Sequence, residues 1–520
     1  MTWEPELEDL RRRDALAREM GGPERVARQR ASGRGTVRER IERLLDPGSF
    51  HEIGGLAGVG RYADDGTLEG FTPANMVVGE GRIDGRRAAV QADDFTVRGG
   101  AADAAIWQKM VHTERLAHDG RMPLVRLVDG TGGGGSVKSL ETMGHTYVPF
   151  VPGWELAVEN LSRVPVAAAA LGPVAGLGFA RVVSSHFSVI VRGTAQAFVA
   201  GPPVVAAAMN ETPDKEALGG ARAQTRAGAI DNEAVDEDDA LEQIRRFLSY
   251  LPSNVWEVPP CLPGIDPPDR REAGLLDVVP RERRRPYKMR RILEWVFDSG
   301  SVFELGARSG RSLITALARL DGRPVGVLAS DPNHYGGGLT GAAADKLVRF
   351  VETCDQFRLP LVNLVDQPGF VIGTEAEKAN TMRRGARALA AVYQCSVPWA
   401  SVLVRKVYGI AGAAHANHAR LTFRVAWPSG DWGSLPIEGG IEAAYRRELE
   451  AADDPVAHRA AIEARLNAVR SPYRTAERFG VEEIIDPRET RPLLCAWAEH
   501  AHELVGHELG AGPKARGVRA

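Results

Sequence analysis

The sequence is short of cysteine. Its 520 residues hold four, Cys261, Cys354, Cys395 and Cys495, and no two form a CxxC pair. That spacing excludes a zinc ribbon and argues against a disulfide framework. No apolar run reaches the roughly 18 residues that a membrane helix needs. The first residues, MTWEPELEDLRRRDALARE, lack the apolar core of a secretion signal. Charge is nearly balanced, at −3 from 65 basic and 68 acidic side chains, which gives no support to a general nucleic-acid surface. The H-E-x-x-H zinc motif and the Walker A spacing are missing, and no Ser-His-Asp arrangement is evident. These absences lead us to expect a cytoplasmic protein with no membrane, nucleic-acid or metal partner.

What is present is glycine and proline, 57 and 32 residues, which suit many tight strand–helix connections. The stretch Val164–Ala180, VPVAAAALGPVAGLGFA, opens with a run of small and β-branched residues that reads as a strand buried on both faces. It then breaks at Gly172, Gly176 and Gly178. Val397–Gly412, VPWASVLVRKVYGIAG, echoes it, with Gly409 and Gly412 in the break. A buried strand, a glycine turn and a following helix leave backbone N–H groups open at the helix start. Such donors can steady a negative oxygen. Close helix packing explains one such turn equally well. Two turns in register make the chemical reading stronger.

The register is explicit. Asp84-Gly85-Arg86, Gly99-Gly100, Pro123-Leu124-Val125 and Leu127-Val128-Asp129 all recur 237 residues later. Pro165 and Gly176 recur 233 residues later, as Pro398 and Gly409. The chain is therefore a duplicated fold, with its boundary in the proline-rich Val258–Pro268. Residues 1–46 read as arginine-rich helices, solvated or at a subunit contact, with Ile41, Leu44 and Leu45 on one face. Strand, Asp-Gly turn and strand follow over residues 76–97. Next come a helix through Lys109, a strand at Leu124–Val128 and a glycine loop, DGTGGGGS, over 129–136. Those glycines, Gly132 and Gly133 among them, would let backbone approach a phosphate or pantetheine arm, or form a flexible loop. Asp236–Leu251 reads as an acid-started helix, Leu421–Ala426 as a strand, and Ile437–Leu504 as helical. Asp129 and Asp366, at matched strand ends, are expected to cap the loops that follow. His415 and His418 are expected to fill polar or core roles, with no third metal ligand in view.

Nine segments carry a family resemblance: RERIERLLDPGSF (38–50), DDFTVRGG (93–100), LGPVAGLGFA (171–180), LGGARAQTRAGAID (218–231), EDDALEQIRRFLSYLPSN (237–254), RPYKMRRILEWVFDSGSVFELG (285–306), VDQPGFVIGTEAE (365–377), RRGARALAAV (383–392) and RKVYGIAG (405–412). The chain resembles the carboxyltransferase (β) subunits of biotin-dependent acyl-CoA carboxylases, of the propionyl-CoA and acetyl-CoA type. The resemblance implies an α/β chain of two tandem crotonase-like (ClpP-type) β-β-α spiral domains. Residues 1–265, with a helical extension, would form the CoA side and 266–520 the biotin side. It implies carboxyl transfer from carboxybiotin on a separate carrier to an acyl-CoA, through an enolate. It also implies a site shared between one subunit's first domain and its partner's second, in a hexameric trimer of dimers. Carried over by position, the amides of Gly176 and Leu177 would hold one oxygen and those of Ile410 and Ala411 the other. Arg98, Gly99, Gly100, Gly132, Gly133 and Ala413 would meet the CoA substrate. Gly369, Phe370, Gly373, Tyr408 and Gly409 would lie on the biotin side.

The chain departs from the family pattern at Leu177, Ile410, Ala413, the 129–136 loop, Lys378-Ala379-Asn380 and Ser429–Pro436. It carries no carrier motif of its own, because Lys288-Met289 lacks a preceding methionine. A biotin-independent or decarboxylating relative, or a non-catalytic scaffold, are the other readings.

Overall fold

The computed structural model describes residues 2–100, 105–130, 140–141 and 143–507. The chain divides after Glu257 into two compact units.

In unit 1 the main sheet runs His51–Ile53, Met76–Ile83, Arg86–Asp93, Leu124–Gly130, Val166–Ala175, Phe187–Val191, Asn232–Ala234, with Gln196–Phe198 added beside Val166–Ala175. In unit 2 the order is Phe303–Leu305, Leu313–Leu320, Arg323–Ser330, Leu361–Gln367, Trp399–Tyr408, Phe423–Ala426, Glu483–Ile484, with Asp431–Gly433 beside Trp399–Tyr408. The first two pairs of each sheet are antiparallel, the second of them a tight hairpin, and the rest are parallel. Both sheets carry the same irregularity, between Val128 and Gly130 and between Val365 and Gln367. The duplication read from the sequence is thus a duplication of strand order and register, and the architecture is that of tandem crotonase-like domains.

Local chemistry sets the element ends. Asp84 (φ 50°) and Gly85 (φ 78°) turn the first hairpin; Asp321 (φ 50°) and Gly322 (φ 75°) turn the second. Asp-Gly fits the two left-handed positions such a turn requires. Asp46 accepts from the Asp84 and Gly85 amides, and Asp298 does the same for Asp321 and Gly322. Thr36 and Glu39 form a reciprocal cap at the start of helix Val37–Leu44. Asp236 caps Glu237–Tyr250.

Some expectations need amendment. The strand expected at Leu421–Ala426 begins at Phe423, and Leu421 is wholly exposed. The tail holds a short strand, Glu483–Ile484, paired to Val425 and Ala426. A separate hairpin, Gly58–Tyr62 with Leu68–Pro73, has no clear signature because only Leu68 and Pro73 of its residues are buried.

Candidate active site

Each sheet ends its central strand in a glycine turn. Val166–Ala175 and Trp399–Tyr408 are buried along most of their length, as their apolar runs predict. Gly176 then takes φ 56°, ψ −119°, and Gly409 takes φ 58°. A side chain makes such backbone costly, so glycine is demanded by the turn itself. Helices Leu177–Val183 and Gly409–Ala413 start there, and the amides of a first helical turn have no carbonyl within the helix to bond.

One expectation is corrected. The Gly176 amide is not open: it donates to the Phe198 carbonyl at 3.1 Å. Strand Gln196–Phe198 pairs with the end of Val166–Ala175, and that pairing runs on through Gly176. Among the described residues, the first-turn amides of unit 1 without an acceptor are those of Leu177 and Gly178. In the 233-residue register these match Ile410 and Ala411. The repeat itself therefore held the signal that corrects the pair. Ile410 is 56% exposed, so its side chain projects outward and leaves the backbone donors in place.

The helix behind each turn is held at its far end by the same register position. In unit 1 this is Arg126, whose Nη1 donates to the carbonyls of Arg181 (3.2 Å) and Ser184 (2.6 Å). A cation there meets the negative end of the helix dipole. Glu114 balances it at 2.7 Å, and Asn160 donates to the other Glu114 oxygen at 2.9 Å. Within the helix, Arg181 donates to both oxygens of Asp93 at 3.0 Å and to Gln91 at 2.6 Å. In unit 2 the position of Arg126 is Asn363, and its amide donates to the His415 carbonyl at 3.1 Å. Trp399 and Ser401 bond the same carbonyl at 2.8 and 2.7 Å.

Asp129 and Asp366, expected to cap the loops that follow, have a further role among the described residues. Both are fully buried ion-pair partners. Asp129 meets Arg40 at 2.8 Å and Arg34 at 3.1 Å, and Arg40 also holds Glu237 at 2.6 Å. Asp366 meets Arg405 at 2.9 Å and accepts from the Lys406 amide at 3.1 Å. Burial pushes the Asp129 carboxyl above the usual carboxylate range while Arg40 and Arg34 pull it back. Burial also pulls the Arg40 guanidinium down, but Asp129 and Glu237 outweigh it and hold Arg40 above its ordinary value. The contacts to two guanidinia identify Asp129 as the charged partner. Arg34 and Arg40 belong to the segment expected to be solvated or at a subunit contact; only the fold shows that Arg40 points inward at 0% exposure.

The other candidates fall into place as follows. Arg98, Gly99 and Gly100 form one left-handed turn, with φ 53°, 65° and 71°. Gly100 packs so closely on the end of Leu124–Gly130 that a Cβ there would stand 3.1 Å from the Asp129 carbonyl oxygen. This turn and the start of the glycine loop are therefore neighbours. Gly132 and Gly133 lie outside the described residues. Gly369 lies beside Tyr408, since a Cβ on it would stand 3.8 Å from the Tyr408 carbonyl oxygen. The Phe370 ring packs against Gly385 instead, and Gly373 (φ 112°) starts helix Thr374–Lys378. Asn380, in a left-handed conformation, links that helix to Thr381–Gln394. Tyr408 is buried and accepts from Arg470 at 3.4 Å. Ala413 is exposed at the end of the second turn's helix.

His415 is a core residue. Its Nδ1 lies 2.7 Å from the Gly412 carbonyl, so that nitrogen carries the proton. Burial pulls its pKa down to about 4, and Nε2 has no partner. Among the described residues no group of three His, Cys, Asp or Glu could hold a metal, and no helix is long and apolar enough to cross a membrane.

Comparison with known proteins agrees with this geometry. Residues 28–503 match the carboxyl transferase domain. The propionyl-CoA carboxylase carboxyltransferase subunit of Haloferax mediterranei is 34% identical over 502 residues, covering 95% of this chain and 96% of its own. The methylmalonyl-CoA carboxyltransferase 12S subunit of Propionibacterium freudenreichii subsp. shermanii is 34% identical over 503 residues, at 96% and 94% coverage. The methylmalonyl-CoA decarboxylase subunit alpha of Veillonella parvula is 32% identical over 500 residues, at 95% coverage of each chain. Among solved structures, the transcarboxylase 12S hexamer with methylmalonyl-coenzyme A and methylmalonic acid bound superposes with a TM-score of 0.86 at 32% identity, covering 99% of this chain and 98% of that one. Doubled sheets, matched glycine turns and this likeness along nearly the whole chain lead to one conclusion: the chain belongs to the carboxyl transferase domain family.

Proposed function

We propose that this acyl-CoA carboxyltransferase holds the enolate of its thioester substrate on the open amides of one glycine turn, and the ureido oxygen of biotin on those of the other. The donors are Leu177 and Gly178 in unit 1, and Ile410 and Ala411 in unit 2. One observation carries the reading: Gly176 and Gly409 share φ 56° and 58° at the same register position, each opening a helix toward the chain's surface. Enolate formation puts negative charge on the thioester oxygen, and fixed N–H dipoles steady it without reorganising. Such a donor is worth about 3–4 kcal/mol of transition-state stabilisation.

The second turn fits biotin, whose ureido oxygen is an acceptor for N–H donors. Delivered by its carrier, biotin supplies the carboxyl group and the base that takes the α-proton. The carrier is a separate protein: the residue before Lys288-Met289 is Tyr287 and not the methionine of a carrier motif, and Lys288 stands at the start of helix Met289–Val296. Tyr408, Gly409 and Gly369 border that turn, and Phe370 and Gly373 complete the biotin side. Arg98, Gly99 and Gly100 receive the CoA arm through close backbone approach, and Gly132 and Gly133 are the further candidates for contact with it. A hexamer like that of transcarboxylase 12S, and a cytoplasmic setting, complete the proposal; all four cysteines are free thiols.

Replacing Gly176 or Gly409 by alanine tests the turns. A Cβ meets nothing within 4 Å at Gly176 and only the Ser434 carbonyl, at 3.4 Å, at Gly409. The expected loss therefore comes from re-aimed amides, not from a clash. With carboxylated carrier and a panel of acyl-CoAs, kcat should fall about 100-fold or more. Unchanged kcat in both variants would remove the oxyanion reading. Release of CO2 without a carboxylated product would instead place the chain with its decarboxylase relative. Ala413 is proposed as the acyl-chain wall. Ala413→Asp should lower kcat/KM for longer or branched acyl groups about tenfold relative to short ones, in line with a polar group left facing apolar substrate. An unchanged acyl profile would remove that assignment.

A further inference from the structure

Although the whole chain is slightly acidic, Pro280–Arg291, PRERRRPYKMRR, holds seven cations against one carboxylate, Glu282. Arg290 is neutralised by Glu304 and Asp331, and Arg291 lies 3.8 Å from Glu294. Arg283 reaches Asn467 at 3.3 Å and feels the Asp431 carboxylate, which Arg470 already pairs at 2.7 Å. Arg281, Arg284, Arg285 and Lys288 are exposed, with no carboxylate at ion-pair distance among the described residues.

The ridge is pinned to the fold. The Arg285 amide closes a turn on the Glu282 carbonyl at 3.1 Å. Arg405 donates to the Arg285 carbonyl at 2.9 Å, and Asn333 donates to that of Tyr287, also at 2.9 Å. Arg281 and Arg283 also border a cavity of about 520 Å³ that Arg405, Asp431 and Arg470 share. Holding like charges together at fixed positions costs self-repulsion, which an anionic partner relieves.

The ridge lies close to the second glycine turn. Arg405 is four residues before Gly409 on one strand, roughly 13 Å at the usual rise per residue. Arg470, on the cavity wall, bonds the Tyr408 hydroxyl next to Gly409.

From this placement we infer that the 281–288 ridge is the docking surface for an acidic face of the biotin carrier protein. The inference rests on the biotin-side reading of the second turn. The ridge would steer the carrier in and hold it while its biotin reaches the turn; it takes no part in bond making.

The test reverses charge on the full-length protein, with Arg281→Glu, Arg284→Glu and Lys288→Glu combined. Affinity for biotinylated carrier, read by fluorescence anisotropy, should weaken about tenfold or more, and its decline with added salt should flatten. In turnover, KM for carrier should rise in step, while KM for acyl-CoA and the rate with free biotin as acceptor stay unchanged. Unchanged carrier affinity overturns the inference. So does a variant that keeps carrier binding but loses binding to single-stranded RNA or to anionic vesicles. Loss of free-biotin turnover in the wild-type protein would instead count against the second turn, and the anisotropy result would still decide the ridge.

Discussion

The two units solve one packing problem with opposite chemistry. Behind the first turn, Arg126 holds the helix end, Glu114 balances it, and Arg181 is locked to Asp93. In register, unit 2 places Asn363, Val351, Ala414 and Ser330 at those four positions. The backbone task is conserved: Ser330 Oγ and Asp93 both accept from the amide of the matched buried aspartate, at 3.1 and 3.2 Å. The charge is not. A buried ion pair returns its desolvation cost only when every donor and acceptor is used. Unit 1 answers it with a connected network that leaves Asn160 Oδ1 without a hydrogen-bond partner, and unit 2 avoids it with neutral groups on one carbonyl. A turn can thus be aimed equally well by a charged lattice or by a few amide and hydroxyl bonds.

The buried aspartates show the same substitution of means. Arg405 reaches Asp366 from within the central strand. Its counterpart is Gly172, where a Cβ would stand 2.1 Å from Asp129 Oδ1 and 2.5 Å from Arg34 Nη1. Unit 1 imports its cations from the N-terminal segment instead.

The sharpest test of this contrast is Arg40→Ala beside Arg405→Ala. Arg40 serves two buried acids, so its loss should cost about 4–5 kcal/mol in urea unfolding and that of Arg405 about 3. Equal losses would break the comparison. Next in size, Arg126→Ala should cost about 3 kcal/mol, since it strands Glu114. Asn363→Ala should cost only about 1 kcal/mol, for one neutral bond.

A further contrast between the units shows in pH dependence. His415 sits where unit 1 has the buried Val182. Folded His415 titrates at about 4 because burial disfavours its charge, and unfolded histidine near 6.5. Between those values the unfolded chain binds the extra proton. Stability from this group is therefore full above about pH 6.5 and falls as pH drops toward about 4. The loss should be about 2 kcal/mol by pH 5. His415→Val should flatten that part of the pH–stability curve; an unchanged slope would contradict the assignment.

The two-copy α/β fold, the hairpin turns and both glycine turns were legible in the sequence because each rests on local rules. Asp-Gly fits a left-handed pair, buried strands are apolar, and a repeat shows its own period. Which amide stays open at each turn was not a local matter. Gly176 loses its donor to Phe198, a strand partner 22 residues away, and no nearby residue reports that. The roles of Arg40, Arg126, Asp129 and Asp366 were hidden for the same reason: in a sequence, an arginine on an exposed helix and one driven into the core look alike. The sequence determined where the turns are and that there are two; tertiary packing decided which charges are buried and which donors remain, because both depend on partners far apart along the chain.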